Sequence, residues 1–143
     1  SYNSPDTINS LKWNRKSEYK EVVEYYKGLI AFRKAHSALR MYSREDIGKN
    51  MYFIDKLPQR VVGFVLSGDC DLEEIVVFFN PNDYPVTLHA FGRYNVYIDG
   101  NKAGTDVLYT VQDDYTVEPL STMVIGRYAP EPEPEVYESL ATD

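Results

Sequence analysis

The spacing of apolar residues changes once along this chain of 143 residues, and the change separates two kinds of structure. Between Ser17 and His36, apolar side chains recur at three- and four-residue steps, which is typical of an amphipathic helix. After Gly48 they recur at every second residue, in short runs separated by turn-forming sequences, which is typical of antiparallel strands. The sequence therefore predicts a mainly β fold, an antiparallel β-sandwich that is preceded by one long α-helix.

The predicted helix begins at Ser17 and ends at His36, with Ser17 or Asn14 as the capping residue. Its periodic stripe consists of Tyr19, Val22, Val23, Tyr26, Leu29, Ile30 and Arg33. The apolar residues of the stripe are expected to pack on the β-sandwich, to pair with a second copy of the chain or to stay exposed. If one face of the helix packs on the sandwich, the opposite side would carry surplus aromatic residues, namely Tyr19, Tyr25 and Phe32. Further on, residues 43–46 (Ser-Arg-Glu-Asp) resemble a capping box for one short helical turn.

Residues 1–16 are predicted to form a loop, because turn-forming residues dominate the segment and Pro5 disfavours an early helix. Ile8, Leu11 and Trp13 are its apolar members. We expect Trp13 to be a buried anchor rather than a sugar platform, since it precedes an apolar helix.

Eight segments are predicted as strands from their β-branched and aromatic content, with turns between them, one of which is Gln-Asp-Asp at 112–114. The segments are 51–56, 60–66, 74–80, 86–91, 94–99, 107–110, 116–118 and 123–127. Residues 61–66 and 75–79 are apolar at successive positions, so both are expected to be central strands with two buried faces.

Composition excludes several classes of function. The net charge of −7 argues against a general nucleic-acid binder. No apolar run approaches the roughly 20 residues of a membrane span, so no membrane partner is expected. A single cysteine, Cys70, excludes an intrachain disulfide and a cysteine-based metal cluster. Residues 129–143 hold five acidic and no basic residues, and they are interpreted as an acidic Pro-Glu linker or tail.

No constellation of reactive residues stands out. A metal site or a Cys–His pair that joins His36, His89 and Cys70 is the less favoured interpretation, because surface and helix-end histidines are ordinary and Cys70 lies in a polar loop. A calcium loop is likewise less favoured than a solvated hairpin tip for the acidic cluster Asp69, Asp71, Glu73 and Glu74. No pair of carboxylates can be assigned to glycoside hydrolysis, and neither a cofactor nor a metal is expected.

Two N-terminal motifs resemble the type I pullulanases, which are α-glucan debranching enzymes of the α-amylase superfamily. They are residues 1–9 (SYNSPDTIN), with Leu11 and Trp13 after them, and residues 25–36 (YYKGLIAFRKAH). The segments that look like the C-terminal β-domain of that family are 61–64, 77–82 (VFFNPN), 96–105 (VYIDGNKAGT) and 117–125 (VEPLSTMVI). The resemblance extends over about residues 1–128 in family order.

The resemblance implies that residues 1–47 are the end of a (β/α)8 barrel, consisting of the loop after its eighth strand and its last helix. Residues 48–128 would then be β-sandwich domain C. The family's catalytic carboxylates would precede Ser1, so no catalytic residue is expected in this chain and the fragment should be inactive by itself.

The resemblance also indicates where sugars could be bound. Loops that follow barrel strands line the catalytic face, so Tyr2 and Asn3 are the candidates for glucan contact in the intact enzyme. In the β-domain, Tyr94, Tyr97 and Tyr109 are candidates for stacking on α-glucan, although packing within the core or on the sheet is the favoured interpretation.

The leading hypothesis is therefore a non-catalytic C-terminal region of a pullulanase-like α-1,6-glucan debranching enzyme, in which domain C stabilises the barrel. The alternatives are a stand-alone α-glucan-binding module and an adhesion or scaffold domain. Only the barrel fragment explains a helix of about 20 residues with a loop before it. Its partners would be the parent barrel, α-glucan through that parent, and a second copy of the chain through the helix from Ser17 to His36. An extracellular or cell-surface location is expected, and a cytoplasmic one stays open.

Overall fold

The computed structural model describes residues 2–128, except for the side chains of residues 90 and 91. In this part of the chain the helices are α1 (Asp6–Asn9), α2 (Arg15–Glu18), α3 (Lys20–Ala35) and α4 (Arg44–Asn50), with a 3-10 turn at Ser37–Arg40. The strands are β1 (Met51–Phe53), β2 (Val62–Leu66), β3 (Glu74–Asn80), β4 (Val86–Ile98), β5 (Tyr109–Val117) and β6 (Ser121–Arg127).

All six strands pair antiparallel in one sheet, in the order β1-β2-β3-β6-β4-β5. The sheet curls into a half-barrel, and the long strand β4 changes register between Ala90 and Arg93 and again between Val96 and Ile98. Such irregularities bend a strand and increase its twist. The predicted mainly β, sandwich-like fold is confirmed. Its strands belong to one continuous, curled sheet and not to two separate sheets.

Eight predicted strands become six, because two of the predicted breaks do not interrupt the sheet. Residues 86–91 and 94–99 lie on the single strand β4, and 107–110 and 116–118 contribute to β5. The turn predicted at residues 112–114 is wrong: the strand continues through Asp113, whose φ of 64° is a conformation that Asp tolerates better than most residues. The central positions predicted for β2 and β3 are confirmed.

Each face of the sheet covers its own hydrophobic core. The inner core, inside the curl, consists of Val61, Val65, Val76, Phe78, Val86, Leu88, Tyr94, Val96, Tyr115, Val117, Met123 and Ile125. The outer core, between the sheet and α3, consists of Phe32, Ala38, Leu66, Leu72, Ile75, Val77, Tyr97, Ile98 and Val124. Successive residues of β3 point to opposite faces, so a strand with two buried faces reads as one apolar run.

The predicted single helix from Ser17 to His36 is interrupted. Tyr19 adopts φ −112° and ψ 46°, which separates α2 from α3, and neither segment has a side-chain cap at its start. The capping predicted for Ser17 or Asn14 is therefore wrong. By contrast, the Ser43 hydroxyl accepts a hydrogen bond from the Asp46 amide at 2.9 Å, so the predicted capping box is confirmed at the start of α4.

The predicted loop over residues 1–16 contains one helical turn, α1. Pro5 does not prevent it, because proline precedes the turn, where its missing N–H is not needed. The Pro5 carbonyl accepts from the amides of Ile8 and Asn9 at 2.9 and 3.1 Å.

A buried amide connects the turns at one end of the sheet. Asn80 is 1% exposed, and its Nδ2 donates to the carbonyls of Tyr84, Val117 and Glu118 at 3.0, 3.1 and 3.0 Å. Its Oδ1 accepts from the backbone amide of Asn82 at 3.1 Å. One side chain thereby ties the β3–β4 turn to the end of β5.

Candidate functional site

One side of helix α3 packs against the outer face of the sheet. Phe32 is 2% exposed, and its ring centroid is 5.4 Å from that of Tyr97. The Tyr25 hydroxyl donates to the backbone carbonyl of Asp99 at 2.7 Å. At Gly28 the backbones come so close that a Cβ would lie 1.8 Å from the Ala103 oxygen. The helix is thus fitted against the β-domain in one position.

The opposite side of α3 is apolar and faces away from the sheet. Tyr19, Val22, Tyr26 and Ile30 are 52%, 53%, 63% and 55% exposed, and we call these four residues the outer stripe. Val22, Tyr26 and Ile30 are spaced four residues apart and lie on one face of α3, and Tyr19 immediately precedes the first residue of that helix. The predicted stripe without a partner is present. The prediction that Tyr25 and Phe32 lie beside Tyr19 as surplus aromatics is wrong, because both pack toward the sheet.

The end of α3 is held by a buried contact between a histidine and a carboxylate that the sequence does not reveal. His36, 6% exposed, makes a 2.7 Å contact from Nδ1 to Oδ2 of Asp69, whose side chain is fully buried. The same carboxylate accepts from the Ser37 hydroxyl and from three amides, those of Ala38, Asp71 and Leu72. Burial raises the pKa of Asp69, but the hydrogen bond with His36 and those from the three amides outweigh it and hold the pKa at about 2.

Two interpretations of single residues are therefore corrected. His36 is not an ordinary surface histidine, and Asp69 is not part of a solvated hairpin tip, although its neighbours Asp71 and Glu73 are exposed. The only local signal was the position of a histidine at a helix end. The residue it pairs with lies 33 positions away, a distance that no short motif encodes.

The remaining candidate metal ligands stay apart within residues 2–128. His89 contacts Asp114 at 2.6 Å on the surface, and the exposed Cys70 thiol points to the Ala35 carbonyl at 3.5 Å. Nowhere in this described stretch do three or more His, Cys, Asp or Glu side chains come together as a metal would require. In the same stretch, no helix has the length and apolar character for a membrane span.

The N-terminal candidates lie on the surface. Tyr2 is fully exposed, and Asn3 adopts a φ of 62°. Trp13 is 75% exposed, so its predicted role as a buried anchor is wrong within the described residues. Ile8 and Leu11 are 67% and 74% exposed and line one shallow groove with Trp13. The outer face of the sheet is already covered by α3, which leaves these side chains outside the core.

The three candidate tyrosines of the β-domain have different environments. Tyr94 and Tyr97 are 7% and 2% exposed, so packing in the core, the favoured interpretation, is confirmed for both. The Tyr94 hydroxyl donates to Glu74, and burial together with that carboxylate raises the tyrosine's pKa. Tyr109 is 44% exposed, at the start of β5.

Comparisons of sequence and of fold give concordant matches. The chain is 39% identical over 75 residues to the pullulanase of Bacillus subtilis strain 168, a match that spans 52% of this chain and 10% of that protein. Its fold superposes on the pullulanase of Bacillus acidopullulyticus with a TM-score of 0.83 and 30% identity, over 89% of this chain and 16% of the other. No family model matches the chain.

A second solved structure agrees with the first. The pullulanase of Anoxybacillus sp. LM18-11, in complex with maltotriose, matches 88% of this chain and 18% of its own, with a TM-score of 0.76 and 25% identity. The resemblance predicted from the motifs is thereby confirmed. The chain spans about a tenth to a fifth of the length of these relatives, so it corresponds to one part of each.

Proposed function

We propose that this chain, which resembles one part of the pullulanases in sequence and in fold, is the non-catalytic C-terminal region of a pullulanase-like glycoside hydrolase that debranches α-1,6-linked glucans. Residues 48–128 are its domain C, and residues 1–47 complete the catalytic (β/α)8 barrel of the parent. Domain C stabilises that barrel. The proposed linker over residues 129–143 lies outside the described residues.

The outer stripe of α3 is the observation that carries this proposal. One side of the helix is packed on the β-domain through Phe32 and Gly28, while Val22, Tyr26 and Ile30 on the other side are half-exposed or more. Fully burying a large apolar side chain stabilises a protein by about 1.5–3 kcal/mol, so covering four half-exposed ones contributes roughly 3–6 kcal/mol. A helix with two apolar sides fits a bridge between domain C and a barrel.

In the intact enzyme, Tyr2 and Asn3 are proposed to contact the glucan. The exposed Tyr2 ring offers a stacking face for a sugar, and the Asn3 amide can donate to and accept from its hydroxyl groups. The nucleophile and the general acid of such an enzyme must flank the scissile bond, and here they would come from the parent's preceding barrel. The proposed role of Tyr2 and Asn3 is therefore to bind the glucan and not to cleave it.

A chimeric enzyme tests the proposal. The matching part of the Bacillus subtilis pullulanase is replaced by this chain, and pullulan hydrolysis and Tm are measured. We expect an active chimera whose Tm falls when Val22→Ser and Ile30→Ser are combined. At a concentration too low for self-association, the same double variant should change the unfolding free energy of the isolated chain much less, because both side chains are more than half exposed there.

Lys27→Ser is the matched control, since Lys27 is an exposed residue of α3 whose ion pair within residues 2–128 is with the exposed Glu24, at 2.7 Å. Exposed pairs contribute little, so its chimera should keep the Tm. The proposal is wrong if the stripe variants and the control have equal Tm values in an active chimera.

The second candidate function is a stand-alone α-glucan-binding module, which the exposed Tyr109 favours. A module would bind glucan without any need for the outer stripe.

We further propose that the parent acts outside the cell or at its surface, because a glucan polymer does not cross membranes. Separation of the producing cells from their medium, followed by immunodetection in each fraction, checks this location.

A further inference from the structure

A small polar cavity opens where the end of β4 meets the turn between β5 and β6. It has a volume of about 220 Å³, and polar groups make up most of its wall. Its residues include Asp99, Asn101, Tyr109, Glu118, Ser121 and Thr122. None of the nine residues that line it is Lys, Arg or His, so the cavity has a negative potential and disfavours anions.

The wall of the cavity is held in place by backbone contacts. Asp99 Oδ1 accepts from the amides of Asn101 and Lys102, both at 2.8 Å. The Ser121 hydroxyl donates to the Glu118 carbonyl at 2.7 Å. At Gly100, an added Cβ would lie 3.1 Å from that of Ser121, so the β4 turn sits directly against β6. These acceptors therefore need little reorganisation to receive a ligand.

Tyr109 adds an aromatic surface to this polar wall. Its side chain is 44% exposed, whereas Tyr94 and Tyr97 are buried in the cores. Burial, the negative charges of Asp99 and Glu118 and a hydrogen bond to the Asp99 side chain raise the pKa of Tyr109, so its hydroxyl stays protonated. An aromatic face beside carboxylate and amide groups matches the two surfaces of a sugar ring, which are its apolar C–H face and its hydroxyl edge.

We propose that this cavity is a binding subsite for one glucosyl ring of an α-glucan, with Tyr109 as the stacking platform and Asp99 and Glu118 as acceptors from the sugar hydroxyls. A phosphorylated ligand would be repelled by the two carboxylates. The choice of an α-glucan rests on the proposed function of the parent. The subsite would hold the polymer on domain C while the barrel cleaves it.

The subsite is proposed for binding and not for cleavage. Asp99 Oδ1 is already engaged by the backbone amides of Asn101 and Lys102 and serves to shape the turn. A cavity of about 220 Å³ also holds one ring, whereas a glycosidic bond must be flanked by a sugar on each side.

Titration of the isotope-labelled 143-residue chain with maltotriose and maltoheptaose tests the subsite by amide chemical shifts. We expect saturable shifts at millimolar sugar, centred on residues 99–101, 109 and 118–122. Tyr109→Ala should weaken binding about tenfold, the equivalent of one lost stacking contact. Glu118→Gln, which keeps the shape of the side chain, should weaken it severalfold.

Tyr84→Ala is the matched control, because Tyr84 is 50% exposed, does not line the cavity and contributes only its backbone carbonyl to Asn80. Its binding should equal that of the unmodified chain. The subsite is refuted by the absence of saturable shifts, by shifts centred elsewhere, or by unchanged binding in Tyr109→Ala whose spectrum shows a folded chain. Shifts at the cavity with Ca²⁺ alone and not with sugar would likewise overturn it.

Cleavage of maltoheptaose during the titration would overturn the assignment to binding. These outcomes are independent of the chimera, since an active, stripe-dependent chimera can occur without any sugar on domain C. A failed titration therefore removes the subsite and leaves the proposed function standing, whereas a failed chimera with positive shifts favours the stand-alone module.

Discussion

Replacement of Asp69 by Asn should destabilise the chain in a manner that depends on pH. The folded protein holds the pKa of Asp69 at about 2, against an ordinary value of 3.8. Through linkage, this difference contributes about 2 kcal/mol to the unfolding free energy. Because the folded-state pKa is the lower one, the contribution is complete above pH 4 and disappears as the pH falls toward 2.

Urea unfolding followed by far-ultraviolet circular dichroism, at intervals from pH 7 to pH 2, measures this effect. Asp69→Asn should lose about 2 kcal/mol or more at pH 7, since the new NH2 group takes the place of one acceptor oxygen and faces either the Ala38 or the Leu72 amide, donor against donor. The deficit relative to the unmodified chain should shrink below pH 4. Other carboxylates titrate in both proteins and largely cancel in that difference.

Asp71→Asn is the matched control, because Asp71 is exposed two positions away. It should change the unfolding free energy by no more than about 0.5 kcal/mol at any pH. A deficit for Asp69→Asn that stays constant from pH 7 to pH 2 would refute the argument. An equal deficit for Asp71→Asn would show that the loop as a whole, and not the buried carboxylate, fastens α3.

Three further predictions concern packing, association and activity. Gly28→Ala should destabilise the chain by about 1–3 kcal/mol in thermal unfolding, because the Cβ of the new alanine would meet the Ala103 carbonyl. This cost exceeds the gain from the better helix propensity of alanine. Gly48→Ala, whose new Cβ would meet no atom of the described residues within 4 Å, should be neutral or stabilising, and equal effects of the two substitutions would contradict the reasoning. The isolated chain should self-associate through the outer stripe, so sedimentation at high micromolar concentration should show dimers that Tyr26→Glu abolishes; a strict monomer would contradict this. Purified chain should release no reducing sugar from pullulan, and release that follows the chain through purification would overturn that expectation.

The hydrophobic period was sufficient to predict the fold class and the central strands, but not the boundaries of every element. The double-sided apolar run of β3 could be recognised as a central strand, and the Ser43 capping box needs only four neighbouring residues. Both signals are local, which is why sequence reasoning found them. The break at Tyr19 and the continuity of β5 through Asp113 depend instead on backbone angles that neighbouring sequence does not determine.

Contacts between distant residues were beyond such reasoning. The helix periodicity identified a face with apolar residues but not which face meets the sheet, and the answer is set by the close approach at Gly28 and by the fit of Phe32 beside Tyr97. The Asp69 carboxylate looked like one acid of a polar loop. The Asp69 carboxylate becomes buried because the end of α3 packs against the connection between β2 and β3.

The buried amide of Asn80 has a consequence for how β3 finds its place. A slip of one residue exchanges the faces of a strand, and in most strands the polar alternation forbids it. In β3 the residues from Ile75 to Phe78 are all apolar, so alternation gives no such protection. A slipped strand would, however, move the Asn80 side chain away from the carbonyls of Val117 and Glu118 and bury it without partners. A single polar residue at the end of the strand thus selects one register among several that hydrophobic burial alone would accept.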